Sequence, residues 1–191
     1  MNRSESSRLL RQIREWAIIV VVAVVIAVVV RAFLLQQFYI SGPSMEPTMF
    51  QNNRVLVDKL SYRFREPRRG EIVVFDRATV SGDTIQHDDL IKRVIGVPGD
   101  TVEIRQCVVL VNDSPIEEDY LDPFFVAQAD PVDRCRTVDL APTTVEPEHL
   151  FVLGDNRVES FDSRAFGTIR REIVVGRAMM IIWPIRMFTF L

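Results

Sequence analysis

Residues 90–104 read Leu90-Ile91-Lys92-Arg93-Val94-Ile95-Gly96-Val97-Pro98-Gly99-Asp100-Thr101-Val102-Glu103-Ile104. Two runs rich in β-branched residues flank Pro98-Gly99. That dipeptide suits the central positions of a type II turn, because proline presets φ at the first and glycine accepts positive φ at the second. The stretch therefore reads strand, turn, strand. The strand period places Leu90, Lys92 and Val94 on one face. If that face is buried, the Lys92 ammonium loses hydration and its pKa falls, so a neutral amine becomes available as a general base. The plainer alternative is a snorkelling or edge lysine that deters aggregation.

The same texture extends outward. Val55-Leu56-Val57 and residues 71–75, 108–111, 150–153 and 173–183 are further β-like runs. Arg69-Gly70, Ser81-Gly82-Asp83 and Asn112-Asp113 punctuate them. Many short strands with regular turn signals predict a mostly β, antiparallel domain over residues 36–191, a sandwich or barrel. Residues 114–149 break the pattern with Pro115, Pro123, Pro131, Pro142, Pro147 and many acids. They read as an irregular surface excursion with a short strand or two. The apolar residues 178–191, interrupted by Pro184 and Arg186, read as a core strand and a surface tail.

Residues 17–30 are uninterrupted aliphatics and alanine, and Ala32-Phe33-Leu34-Leu35 resumes the run after Arg31. A helix over 17–35 would be roughly 28 Å long, close to the ~30 Å hydrocarbon core of a bilayer. Arg3, Arg8, Arg11 and Arg14 precede it, and Arg31 is the only basic residue between them and Arg54. The expectation is a single-pass signal-anchor in the cell membrane, with residues 1–16 in the cytoplasm and the domain on the extracytoplasmic side. A cleaved signal peptide is the competing reading, but no convincing small-x-small site follows the run.

A net charge of −3 over 191 residues argues against nucleic acid as a partner. The only histidines are His87 and His149, the only cysteines Cys107 and Cys135, and no metal-ligand spacing occurs, so no cofactor or metal is expected. Outside the cytoplasm the cysteines could form a disulfide pinning the excursion; two free thiols is the alternative.

Two more stretches carry chemistry. Ile40-Ser41-Gly42-Pro43-Ser44-Met45-Glu46-Pro47-Thr48-Met49 sets a serine in a rigid turn, able to act as a nucleophile if a base lies near. Lys92, His87 and His149 are the candidate bases. Gly154-Asp155-Asn156-Arg157-Val158-Glu159-Ser160-Phe161-Asp162-Ser163-Arg164 crowds arginines, aspartates and serines into a turn that could form a buried polar network. Its alternative is an exposed charged loop.

Taken together, Ser-Met-x-Pro-Thr at 44–48, Lys-Arg-x-x-Gly-x-Pro-Gly-Asp at 92–100 and Gly-Asp-Asn-Arg-x-x-Ser-x-Asp-Ser-Arg at 154–164 resemble the type I signal peptidases (leader peptidases). The resemblance runs from the anchor to residue 184 and is weakest at 114–149. It implies a membrane-bound serine–lysine endopeptidase that removes signal peptides and prefers small residues at P1 and P3. Secretory preproteins, the lipid bilayer and the protein-export translocon would be its partners. By the same resemblance Ser44 is the nucleophile and Lys92 the base. Ser160 orients the lysine, and Asp162–Arg164 and Asp155–Arg93 are supporting pairs. Where two-anchor enterobacterial-type members have a hydroxyl for the oxyanion, this chain has Gly42, as single-anchor Gram-positive-type members do. The oxyanion is then left to backbone N–H groups at Ser44 and Gly42. A self-cleaving repressor-type serine–lysine peptidase and an inactive tethered binding domain are the other readings.

Overall fold

A computed structural model describes residues 3–29, 34–81, 84–127 and 130–191. The chain runs α1 (Arg3–Val29), β1 (Leu35–Tyr39), β2 (Arg54–Asp58), β3 (Ile72–Ser81), β4 (Thr84–Gly96), β5 (Thr101–Arg105), β6 (Val108–Val111), β7 (Ser114–Pro115), α2 (Pro123–Val126), α3 (Pro131–Cys135), β8 (Leu140–Thr144), β9 (His149–Leu153), α4 (Ser163–Phe166), β10 (Ile169–Arg170), β11 (Val174–Trp183) and β12 (Thr189–Phe190). Two antiparallel sheets result. The larger orders its strands β1-β2-β11-β3-β4-β9-β10, with β12 folded back on β11, and the smaller β7-β6-β5-β8.

The turn between β4 and β5 forms as its sequence dictates. Gly99 has φ +89°, and Asp100 N–H donates to the Val97 carbonyl at 3.0 Å. The strand alternation sorts β3 between two cores. Ile72 and Val74 join Met45, Met49, Val55, Val57 and Ile181, while Val73 and Phe75 join Val94, Leu150 and Val152. Val73 is the cross-strand partner of Lys92, so the lysine stands on this second, apolar face. A third cluster packs Ile95, Phe151 and Leu153 against Val102, Ile104 and Val109 of the smaller sheet.

Several expectations change. The helix expected over 17–35 does not extend to Leu35, which pairs with Asp58 in β1; α1 is described over Arg3–Val29, and residues 30–33 lie outside the described residues. Among the described residues no helix is long and apolar enough to cross a membrane. The apolar part of α1, residues 16–29, is about 21 Å at the helical rise. Its side chains, Ile18, Val22 and Ile26 among them, are exposed. β3 and β4 stay paired to Ser81 and Thr84, well past Phe75, where the pairing with β11 stops. The outer halves therefore project as a two-stranded ribbon, on which His87 lies. The turn read at Ser81-Gly82-Asp83 falls largely outside the described residues. The excursion contains β7, β8, α2 and α3, and the Cys107–Cys135 disulfide is formed.

Candidate active site

Ser44 sits in a turn closed by Glu46 N–H to the Pro43 carbonyl (3.0 Å) and Met49 N–H to the Met45 carbonyl (2.9 Å). Met45 and Met49 are wholly buried and fix the turn on the sheet. The serine's own carbonyl accepts from Asn156 N–H at 3.1 Å. The first and third sequence stretches are thereby fastened together.

The Lys92 side chain reaches across to Ser44, with Nζ 2.8 Å from the serine Oγ and 2.8 Å from the Ile91 carbonyl. Lys92 is 2% exposed. Burial pulls its pKa down from 10.5 to about 8, against the pull of the Asp162 and Asp155 carboxylates and with the help of Arg164. At that value a substantial fraction is neutral near physiological pH. A neutral amine can accept the serine proton across the same 2.8 Å contact.

The charged groups expected around the pair are there. Arg164 grips Asp162 with Nε and Nη2, both at 2.8 Å, and Asp162 Oδ2 also accepts from Gly154 N–H at 3.0 Å. Burial would push the Asp162 carboxyl up, but these bonds hold it below the usual range. Arg93 grips Asp155 the same way, Nε at 2.8 Å and Nη2 at 2.6 Å. Thr48 Oγ1 adds a bond to Asp155 Oδ2 at 2.5 Å. The closeness of these segments explains Gly154. A Cβ there would lie 2.2 Å from Ser160 Oγ and 2.4 Å from the Ser44 carbonyl oxygen.

Ser160 is a correction. It is buried beside the pair, but Lys92 Nζ donates to the Ser44 hydroxyl and the Ile91 carbonyl and not to this serine among the described residues. The Ile91 carbonyl, one residue back on the same strand, accepts the bond that was expected to go to the serine. Among the described residues the backbone N–H groups of Ser44 and Gly42 have no hydrogen-bond partner. The histidines are elsewhere. His87 Nδ1 meets the Asp76 carboxylate at 2.8 Å in the exposed ribbon, and His149 Nδ1 donates to the Pro147 carbonyl at 2.9 Å.

Sequence reasoning placed Arg157 in the polar stretch but missed its partners Glu118 and Tyr120. Arg157 is buried, donates through Nε to the Gly154 carbonyl at 3.1 Å and is ion-paired with Glu118. Tyr120 lies beneath Arg93, with the guanidinium 3.9 Å from the ring centroid. Glu118 and Tyr120 come from the excursion, where nothing local marks them out.

Residues 13–183 match the family described as signal peptidase, peptidase S26. The chain is 40% identical over 165 residues to a probable signal peptidase I-2 of Synechocystis sp., covering 86% of this chain and 71% of that protein. It is 34% identical over 184 residues to signal peptidase I S of Bacillus subtilis, covering 95% of each. A crystal structure of a signal peptidase I from Enterococcus faecalis aligns with a TM-score of 0.44 at 31% identity, over 59% of this chain and 97% of that one.

Proposed function

The chain belongs to the signal peptidase family, peptidase S26, and is a type I signal peptidase; from that premise we propose that it cleaves preproteins with Ser44 as nucleophile and Lys92 as general base. The contact between Lys92 Nζ and Ser44 Oγ at 2.8 Å, made by a lysine that is 2% exposed, carries the assignment. The amine takes the hydroxyl proton as Oγ attacks the scissile carbonyl. The Ser44 and Gly42 N–H groups receive the oxyanion, and the resulting ammonium returns the proton to the leaving amine. Water then hydrolyses the acyl-enzyme, with Lys92 again as base.

The substrate binds as an added strand. β4 pairs with β9 from Arg93 onward, and from Lys92 back to Thr84 that edge has no strand partner among the described residues. The free edge thus begins at the dyad. Strand addition there supplies main-chain hydrogen bonds, and small P1 and P3 side chains fit the face on which Lys92 stands. A groove of about 440 Å³ lined by Leu34, Leu35, Leu60, Phe64 and Met179 includes neither dyad residue and has no part in this scheme.

The exposed apolar half of α1, from Trp16 onward, supports membrane attachment, because a helical stretch apolar all round has no favourable place in water. The arginines ahead of it put the N-terminus in the cytoplasm and the catalytic domain outside, where exported preproteins emerge. The test is processing of a preprotein with an Ala-x-Ala site by wild type, Ser44→Ala and Lys92→Arg. Cleavage by wild type alone is expected. Cleavage that survives Lys92→Arg sinks the lysine as base, since arginine keeps the charge but does not release its proton.

A further inference from the structure

Three arginines stand behind the dyad, and all three are held by the segment between β7 and β8. Arg93 rests on the Tyr120 ring. Arg157 is paired with Glu118, to which the Tyr120 hydroxyl also donates at 2.7 Å. Arg164 Nη1 donates to the Cys135 carbonyl at 2.7 Å. Buried guanidinium groups keep one position only while their fixed N–H donors are satisfied. We propose that Glu118, Tyr120 and Cys135 are positioning residues for the Ser44–Lys92 dyad, and that the Cys107–Cys135 disulfide is the latch that keeps them in place. The inference rests on the dyad reading above.

The path to the reacting atoms is short. Arg164 fixes Asp162, and Asp162 accepts from Gly154 N–H. Gly154 lies against the Ser44 carbonyl with no space to spare, and Asn156 N–H bonds that carbonyl. A displaced Arg164 therefore disturbs the turn that aims Ser44. It also changes the charges facing Lys92, where Asp162 and Asp155 favour the ammonium and Arg164 opposes it. With Arg164 loosened, the amine keeps its proton to higher pH.

The latch closes a loop between cysteines 28 residues apart. A dithiol such as dithiothreitol opens it by supplying two electrons and two protons. The S–S bond breaks, each sulfur becomes a thiol, and the reagent closes to its own cyclic disulfide.

The experiment uses the full chain in detergent micelles and a fluorogenic Ala-x-Ala peptide, before and after dithiothreitol, with free thiols counted. Reduction is expected to lower kcat about tenfold, as a small misplacement of reacting groups does. It leaves KM within about twofold, the sign that substrate binding is intact. The ascending limb of the kcat–pH profile moves to higher pH, and reoxidation restores the rate. A Cys107→Ser/Cys135→Ser double variant starts at the reduced rate and ignores the reductant. Tyr120→Leu, with the disulfide intact, moves kcat and the limb in the same direction, whereas Tyr120→Phe keeps the ring under Arg93 and most of the rate. An unchanged kcat and limb with both thiols free overturns the proposal, as does a rise in KM at constant kcat. If reduction melts the domain, an unmoved limb in Tyr120→Leu overturns it alone. Failure of the dyad reading shows separately, as cleavage that survives Lys92→Arg.

Discussion

Lys92 spends stability on reactivity. Its pKa falls from 10.5 to about 8 on folding, through burial first. Between those values the unfolded chain holds a proton that the native protein has released, so stability rises with pH across that window. Below pH 8 the full penalty applies, about 3 kcal/mol at 1.36 kcal/mol per unit. Lys92→Met removes it. The variant should be inactive yet more stable by about 2 kcal/mol at pH 7 in denaturant titrations, with no advantage above pH 10.5. Wild-type kcat/KM should rise with pH through about 8, because only the neutral amine accepts a proton. A flat profile over pH 6–9 would refute that. Ser44 and Lys92 were legible in the sequence because each sits in a short motif whose neighbours serve the same site. The Ile91 carbonyl and the Cys135 carbonyl were not, because a backbone oxygen acting on a distant side chain leaves no trace in residue type. Ser160 was legible as a buried member of the site, but that Lys92 bonds to the Ile91 carbonyl and not to this serine was not.

At the level of elements, the free edge of β4 and the tight seat of the 154–156 turn make distinct demands. If substrate adds a strand to that edge, N-methylation of alternate backbone amides in a peptide substrate should raise KM roughly tenfold, the worth of about one lost hydrogen bond. Methylation of the intervening amides should not. Equal effects at every position would remove strand addition from the mechanism. Gly154→Ala puts a methyl against the Ser44 carbonyl and Ser160, and should lower kcat by about a hundredfold while the domain still folds. The central strands were readable from β-branched runs, and the turn at Pro98-Gly99 from its chemistry. β1 was hidden because Leu35 continues an apolar run, although Gln36 and Gln37, exposed on an edge strand, belong to the sheet. The outer ribbon was hidden for the opposite reason. Solvated on both faces, residues 84–89 show no alternation of apolar and polar.

For the whole molecule, the proposed function divides between a sheet domain assigned the chemistry and a helix, α1, assigned its placement at a membrane. Removing residues 3–29 should leave cleavage of a short soluble peptide within about threefold, because every dyad contact lies in the domain, while co-flotation with lipid vesicles is lost. Co-flotation that persists would mean that the sheet domain holds the bilayer by itself. The two-sheet architecture was legible as a class, yet the way the excursion closes over the site was not. That closure depends on pairs such as Glu118–Arg157, 39 residues apart, which no local pattern announces. The projecting ribbon has one more consequence. On the strand-addition proposal, an edge open to a preprotein is equally open to the edge of another copy, so the enzyme must resist polymerising through that edge. Asp76, Arg77, His87, Asp88 and Asp89 stud that ribbon with charge. These charges keep like edges apart while a flexible peptide can still thread between them.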